Sequence, residues 1–319
     1  MKPKLISIYA AQGMMFIIGL LAMNIKVQAQ QKPMFSQYMF NLMNINPAYA
    51  GNRRSLSVAA LYRNQWVGIE GAPKTGSLSV DYRGAESNIG FGIQAYDDQI
   101  GIERTTGVQT FYSYHVPLGE SSLSLGIAGG VLNYTANYTR VSTIQPGDPS
   151  FAKTINGWLP TFGAGVIYSS PKFYLGFSVP DMLKTKINEQ GRADVSSSAP
   201  FLHFFATGGL IIRASDMISF KPSFLVKAVG GAPIQVDGNA NIWFNNVFSL
   251  GVSYRTGDAI VGMAELQASP QIRIGYGYDH TISKLSSYAR GTHELMIRFE
   301  FGSKKTNVIT EETLSPRYY

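Results

Sequence analysis

The chain contains no cysteine, which removes disulfide staples, thiolate metal sites and cysteine nucleophiles together. Histidine is scarce. His115, His203, His280 and His293 are scattered, with no His-x-x-x-His spacing that would hold zinc. No Gly-x-Ser-x-Gly elbow occurs, so the commonest serine-hydrolase signature is missing. Asp97-Asp98 ahead of Gln99-Ile100-Gly101 offers only two carboxylates, too few for a calcium loop. The sequence therefore nominates no catalytic residue, no metal ligand and no cofactor site. Past residue 29 there is no run of 18 apolar residues, so no later segment crosses a bilayer as a helix. Positive charge is weak as well. The net charge is +7, but Lys2, Lys4 and Lys26 lie in the leader. Without them 24 basic residues face 20 acidic ones, about +4, which is no basis for nucleic-acid binding.

What the chain has is a rhythm. Short stretches of alternating apolar and polar residues recur from about Arg54 to Phe301, separated by turn residues. They read as roughly fourteen strands: 54–64, 76–84, 88–97, 105–116, 121–134, 158–169, 172–180, 201–213, 217–228, 232–244, 247–256, 258–267, 270–279 and 291–302. Phe173, Leu175, Phe177 and Val179 share one phase, as do Leu123, Leu125, Ile127 and Val131. Ile272, Ile274, Tyr276 and Tyr278 alternate with Gln271, Arg273, Gly275 and Gly277. Gly (33), Tyr (18) and Phe (18) are abundant, and mean hydropathy is near zero. That mix suits an all-β transmembrane antiparallel barrel, in which one phase meets lipid, the other a polar lumen, and aromatics belt both interfaces. A closed barrel also leaves no edge strand to aggregate.

Connection lengths support the membrane reading. From a periplasmic start of strand one, even-numbered turns are expected short and odd ones long. Arg83–Asn88, Pro117–Ser121, Ser169–Lys172, Arg213–Met217, Phe244–Val247 and Leu266–Gln271 are short. Gln65–Lys74, Asp97–Arg104, Tyr134–Gly157, Asp181–Pro200 and His280–Arg290 are read as long, with short exceptions near Gly230 and Gly257. The loops 134–157 and 181–200 are accordingly expected outside the cell. On the lumenal phase, Asp237, Glu265, Arg273, Glu294, Arg298 and Glu300 are expected to form an interior charge network that rigidifies the barrel.

The amino end has the form of an export signal: Lys2 and Lys4, an apolar core from Leu5 to Met23, then Val27-Gln28-Ala29 as a cleavage site, leaving Gln30 first. A retained transmembrane anchor is the alternative, but Gln12 and Gly13 interrupt the core. Between leader and strands, one or two helical turns are expected over Ser36–Met43, with Phe35, Met39, Phe40 and Met43 on one side and Asn46-Pro47 turning the chain into strand one. Such a segment either plugs the periplasmic mouth or docks a partner. Phe35, Tyr38, Met39, Phe40 and Tyr49 are the residues expected to do so.

This segment, Phe35-Ser36-Gln37-Tyr38-Met39-Phe40-Asn41 followed by Asn44-Ile45-Asn46-Pro47-Ala48-Tyr49-Ala50-Gly51, resembles the opening of the PorP/SprF family of Bacteroidota outer-membrane proteins. Tyr62-Arg63-Asn64-Gln65-Trp66, Gly71-Ala72-Pro73-Lys74-Thr75, Ile89-Gly90-Phe91-Gly92 and Tyr276-Gly277-Tyr278-Asp279 are similar to it too. The tail after Phe301 departs from the simplest family pattern. The resemblance implies an outer-membrane, non-catalytic component of type IX secretion and gliding motility, helping to export or anchor secreted proteins such as adhesins. Its implied partners are other secretion or motility components, a secreted cargo and the outer-membrane bilayer. Two other readings stand beside it, a transporter of hydrophobic small molecules and an outer-membrane enzyme. The division expected is a signal peptide (1–29), a plug or docking segment (30–52), the barrel (53–302) and a periplasmic tail (303–319).

Overall fold

The computed structural model describes residues 34–140, 154–187, 193–196, 202–230 and 232–301. Residues 1–33, which hold the expected leader, the tail after Phe301 and much of the two longest loops lie outside them. The strands are β1 (Leu56–Asn64), β2 (Lys74–Tyr82), β3 (Ile89–Ile100), β4 (Glu103–Leu118), β5 (Ser121–Asn137), β6 (Thr154–Ser169), β7 (Phe173–Val179), β8 (Lys184–Ile187), β9 (Ala193–Ser196), β10 (His203–Leu210), β11 (Ile212–Arg213), β12 (Ile218–Val229), β13 (Gln235–Phe244), β14 (Phe248–Arg255), β15 (Ala259–Gln267), β16 (Ile272–Thr281) and β17 (Thr292–Phe301). β8 and β9 form a hairpin apart from the main sheet. β10 and β11 both pair with β12 and make one broken stave. Fourteen antiparallel staves result, each bonded to its sequence neighbours, and β1 closes the ring on β17 from Leu56↔Phe301 to Asn64↔His293.

Period two decides which way each residue faces. In β2, Thr75, Ser77, Ser79 and Asp81 are buried while Leu78 and Tyr82 are exposed. In β17, Leu295, Phe299 and Phe301 point outward and Glu294, Met296 and Arg298 inward. A soluble protein would bury the apolar phase; here the apolar phase is the outside, because lipid covers it and the polar residues find partners in the lumen.

One connection differs from its expected length. Asp97–Arg104 is not a loop: β3 runs on to Ile100 and β4 begins at Glu103. Arg104 Nε and Thr106 Oγ1 donate to Asp97 at 2.7 Å, and Thr75 Oγ1 donates to Asp98 at 2.6 Å, so side chains carry the ladder to the tip. Gly101, at φ +56, closes the tight turn. Asp97 and Asp98 are adjacent strand residues and so face opposite sides, which keeps them from converging on one ion.

Candidate functional site

Residues 34–55 fill the lumen. They form three short 3-10 turns, Tyr38–Phe40, Leu42–Asn44 and Pro47–Tyr49, rather than the expected helical turns with one apolar side. Asn41, at φ −144 and ψ 73, interrupts any continuous helix. The segment is also buried all round, so one apolar stripe would not serve it. Phe35, Tyr38, Met39, Phe40 and Tyr49 are 6, 1, 9, 7 and 0% exposed. The barrel wall supplies most of their partners. Phe40 meets Trp243 edge-on at 6.4 Å, and Asn239 Nδ2 donates to the Tyr38 hydroxyl at 2.6 Å. Asn46 anchors the turn into strand one: its Oδ1 accepts from Ala48 N at 3.0 Å, and its Nδ2 donates to the carbonyls of Val166 and Phe177 at 3.1 and 3.2 Å.

The wall is shaped for this segment by glycines on its inner face. A Cβ at Gly90 would overlap the Ala50 carbonyl, one at Gly126 the backbone of Ala48, one at Gly165 the Asn46 amide and one at Gly275 the Gln37 side chain. The sequence alone gave Gly90, Gly126, Gly165 and Gly275 no such role. The signal available was that Gly275 and Gly277 fall on the polar phase, where a lumenal side chain belongs.

At one end of the segment a charge cluster holds Ser36. Ser36 N and Gln37 N each donate to the Glu294 carboxylate at 2.8 Å. Ser36 Oγ donates to Asp279 Oδ2 at 2.7 Å and accepts from Arg63 Nη1 at 2.7 Å and Arg255 Nη2 at 3.0 Å. Arg63 lies 2.8 Å from Asp279 and 2.9 Å from Glu294; Arg255 lies 3.1 Å from Asp237 and 3.3 Å from both Asp258 and Asp279. At the other end, Gly51 N donates to Asp81 at 3.1 Å, Arg83 Nη2 donates to the Asn52 carbonyl at 3.4 Å and Arg53 lies 3.0 Å from Glu300. His115 bridges Ser124 and the Ala50 carbonyl, at 2.7 and 3.0 Å.

The six charges named from sequence thus do not form one network but fall into four arrangements. Asp237 and Glu294 belong to the Ser36 cluster. Glu265 and Arg273 pair at 2.9 Å, with Arg273 also stacked 5.1 Å from the Trp243 ring centre. Glu300 holds Arg53. Arg298 stands directly opposite Arg273 in the β16–β17 ladder and forms no salt bridge among the described residues; its Nη2 lies 3.9 Å from Met296 Sδ. The residues sequence reasoning missed are Arg53, Arg63, Arg255, Asp81, Asp279 and His115. Each lies on a lumenal phase or in the segment itself, but only closure of the ring brings Arg63 to Glu294.

Among solved structures, the chain is similar to the Acinetobacter baumannii outer membrane protein Omp33 (11% identity, TM-score 0.45, covering 79% of this chain and 100% of that one). It is similar to the Ralstonia pickettii toluene transporter TbuX (11%, 0.48, 81% and 92%) and to the KdgM porin (10%, 0.36, 77% and 99%). At this distance they bear on neither substrate nor conduction. No curated protein matches the chain. The model of the type IX secretion system membrane protein family PorP/SprF matches residues 27–299, nearly the whole barrel together with the lumenal segment. An outer-membrane barrel with that match along most of its length belongs to the PorP/SprF family of type IX secretion membrane proteins.

Proposed function

We propose that this barrel is a non-conducting, non-catalytic partner in type IX secretion that helps export or surface-anchor a secreted protein, such as an adhesin used in gliding. Its partners would be other secretion or motility components and that cargo. The observation that carries the reading is the filled lumen: residues 35–50 are almost wholly buried and tied to the wall at both ends. A conducting pore needs a water path, and a plug so hydrogen-bonded is costly to displace. In this reading Phe35, Tyr38, Met39, Phe40 and Tyr49 form a plug, and Asp237, Glu265, Arg273, Glu294, Arg298 and Glu300 belong to the lumenal frame around it.

A hydrophobic-compound transporter is the second reading. It draws on an open apolar groove of about 430 Å³ in the barrel wall, lined by Val166, Phe177, Phe204, Phe205 and Val226 beside the seven-residue β7, with Phe177 and Phe204 exposed on the outer face. Two measurements on protein from native membranes separate the readings. Co-purification should recover secretion components, and planar bilayers should show no steady current. Recovery of no secretion component, together with a steady open channel or uptake of a hydrophobic dye into liposomes, would overturn the secretion reading. The variant with Phe35→Ser, Met39→Ser and Phe40→Ser should still assemble and gain conductance while keeping its partners. Loss of partners from an assembled triple variant would instead make the segment a docking element.

A further inference from the structure

We infer that the polypeptide enters the barrel through the mouth bearing the long loops, even though strand one begins at the periplasmic side. Four strands locate the upper end of the lumenal segment. Ser36 is bound by Arg63, the next-to-last residue of β1; by Asp279, two residues from the end of β16; by Arg255, the last residue of β14; and its N–H by Glu294, two residues into β17. All four positions adjoin the connections 65–73, 256–258 and 282–291. The lower end is as well placed. Gly51 and Asn52 are held by Asp81 and Arg83, next to the short turn 83–88, and Arg53 by Glu300 at the far end of β17.

Between these ends the chain descends. Gln37 reaches the wall at Gly275 and Glu294, and Phe40 has reached Trp243, its carbonyl accepting from Arg53 Nη2 at 3.2 Å. Phe35 is 6% exposed, and the space below it is occupied by residues 38–53 of the same segment. Met34, the first described residue, is half-buried, and the segment descends from it away from the long-loop mouth. In bacterial outer-membrane barrels the long loops face outward. The segment thus runs from outside inward before β1 turns back up through the membrane.

The inference rests on the plugged-barrel reading and on the orientation of the loops, and the native absence of cysteine permits a test of each. Lys32→Cys, Tyr288→Cys and Ala85→Cys are made singly and labelled with an impermeant maleimide, on intact cells and after the outer membrane is opened. Tyr288, in the 282–291 connection, is 74% exposed, and Ala85 is exposed in the turn 83–88. Heat-modifiable mobility checks that each barrel is folded. The expected result is that positions 32 and 288 label on intact cells and position 85 only after opening. Position 288 labelling on intact cells while 32 waits for opening, or 32 labelling in neither state, overturns the inference with the orientation intact. Position 85 labelling on intact cells and 288 only after opening would show the orientation itself reversed, and the inference falls with it.

Discussion

At the scale of single residues the lumen is a matter of which charges have partners. Arg63 serves two carboxylates and Ser36 at once, with its side chain 4% accessible. Removing one side of such a buried pair costs about 3–5 kcal/mol, because the other side is stranded. Arg104 and Asp97 lie just as close, at 2.7 Å, but their side chains are 62 and 40% accessible. An exposed pair of that kind contributes at most about 1 kcal/mol. Arg63→Ala should therefore lower the temperature at which the barrel loses its compact band on gels well below that of Arg104→Ala. Equal temperatures would mean that Arg63 is solvated. Arg298 is the instructive contrast. Its strand phase marks it as lumenal, and sequence reasoning groups it with Glu294 and Glu300. The register instead sets it against Arg273, without a salt bridge of its own among the described residues. Arg298→Met, which keeps the length and drops the charge, should cost less than Arg63→Ala in the same assay.

At the scale of elements, the strands were legible because period two is local: every second residue reports its solvent, whatever the rest of the chain does. The lumenal segment was legible only as apolar and aromatic. Its conformation is set by what surrounds it, so the three 3-10 turns and the burial of Leu42 and Ile45 could not be read from helical spacing. The inner glycines are where wall and segment specify each other. Gly126→Val would place a branched side chain where the Ala48 backbone lies. The strand itself should accept valine, a good β former. The expected outcome is a folded, heat-modifiable barrel with a displaced segment, seen as new ion conductance in planar bilayers. Gly262→Ala, where a Cβ meets nothing, is the control and should stay closed. A closed Gly126→Val channel would mean that the segment repacks around the added methyls.

At the scale of the whole molecule, the barrel, its membrane and its family fit one another: fourteen staves, apolar outside and polar inside, matched along residues 27–299 by one secretion family. Export of such a chain requires a leader, and Val27-Gln28-Ala29 is the expected point of cleavage. The intact mass of protein purified from outer membranes should correspond to a chain beginning at Gln30. A mass that retains Met1 would make residues 1–29 an anchor, and would put an apolar stretch where the threaded lumen expects a short polar end.

The sequence by itself determined the strand count, the face each strand gives to lipid, the short turns of one mouth and the family, because each is written in local alternation or in a contiguous motif. Only the tertiary structure decided what the lumen holds. Arg63 and Glu294 are 231 positions apart and meet because β1 closes on β17; Ser36 and Asp279 are 243 apart and meet because the segment is threaded between them. No local period carries information over such separations. A side chain's inward phase says that it needs a partner, and closure of the ring chooses which one.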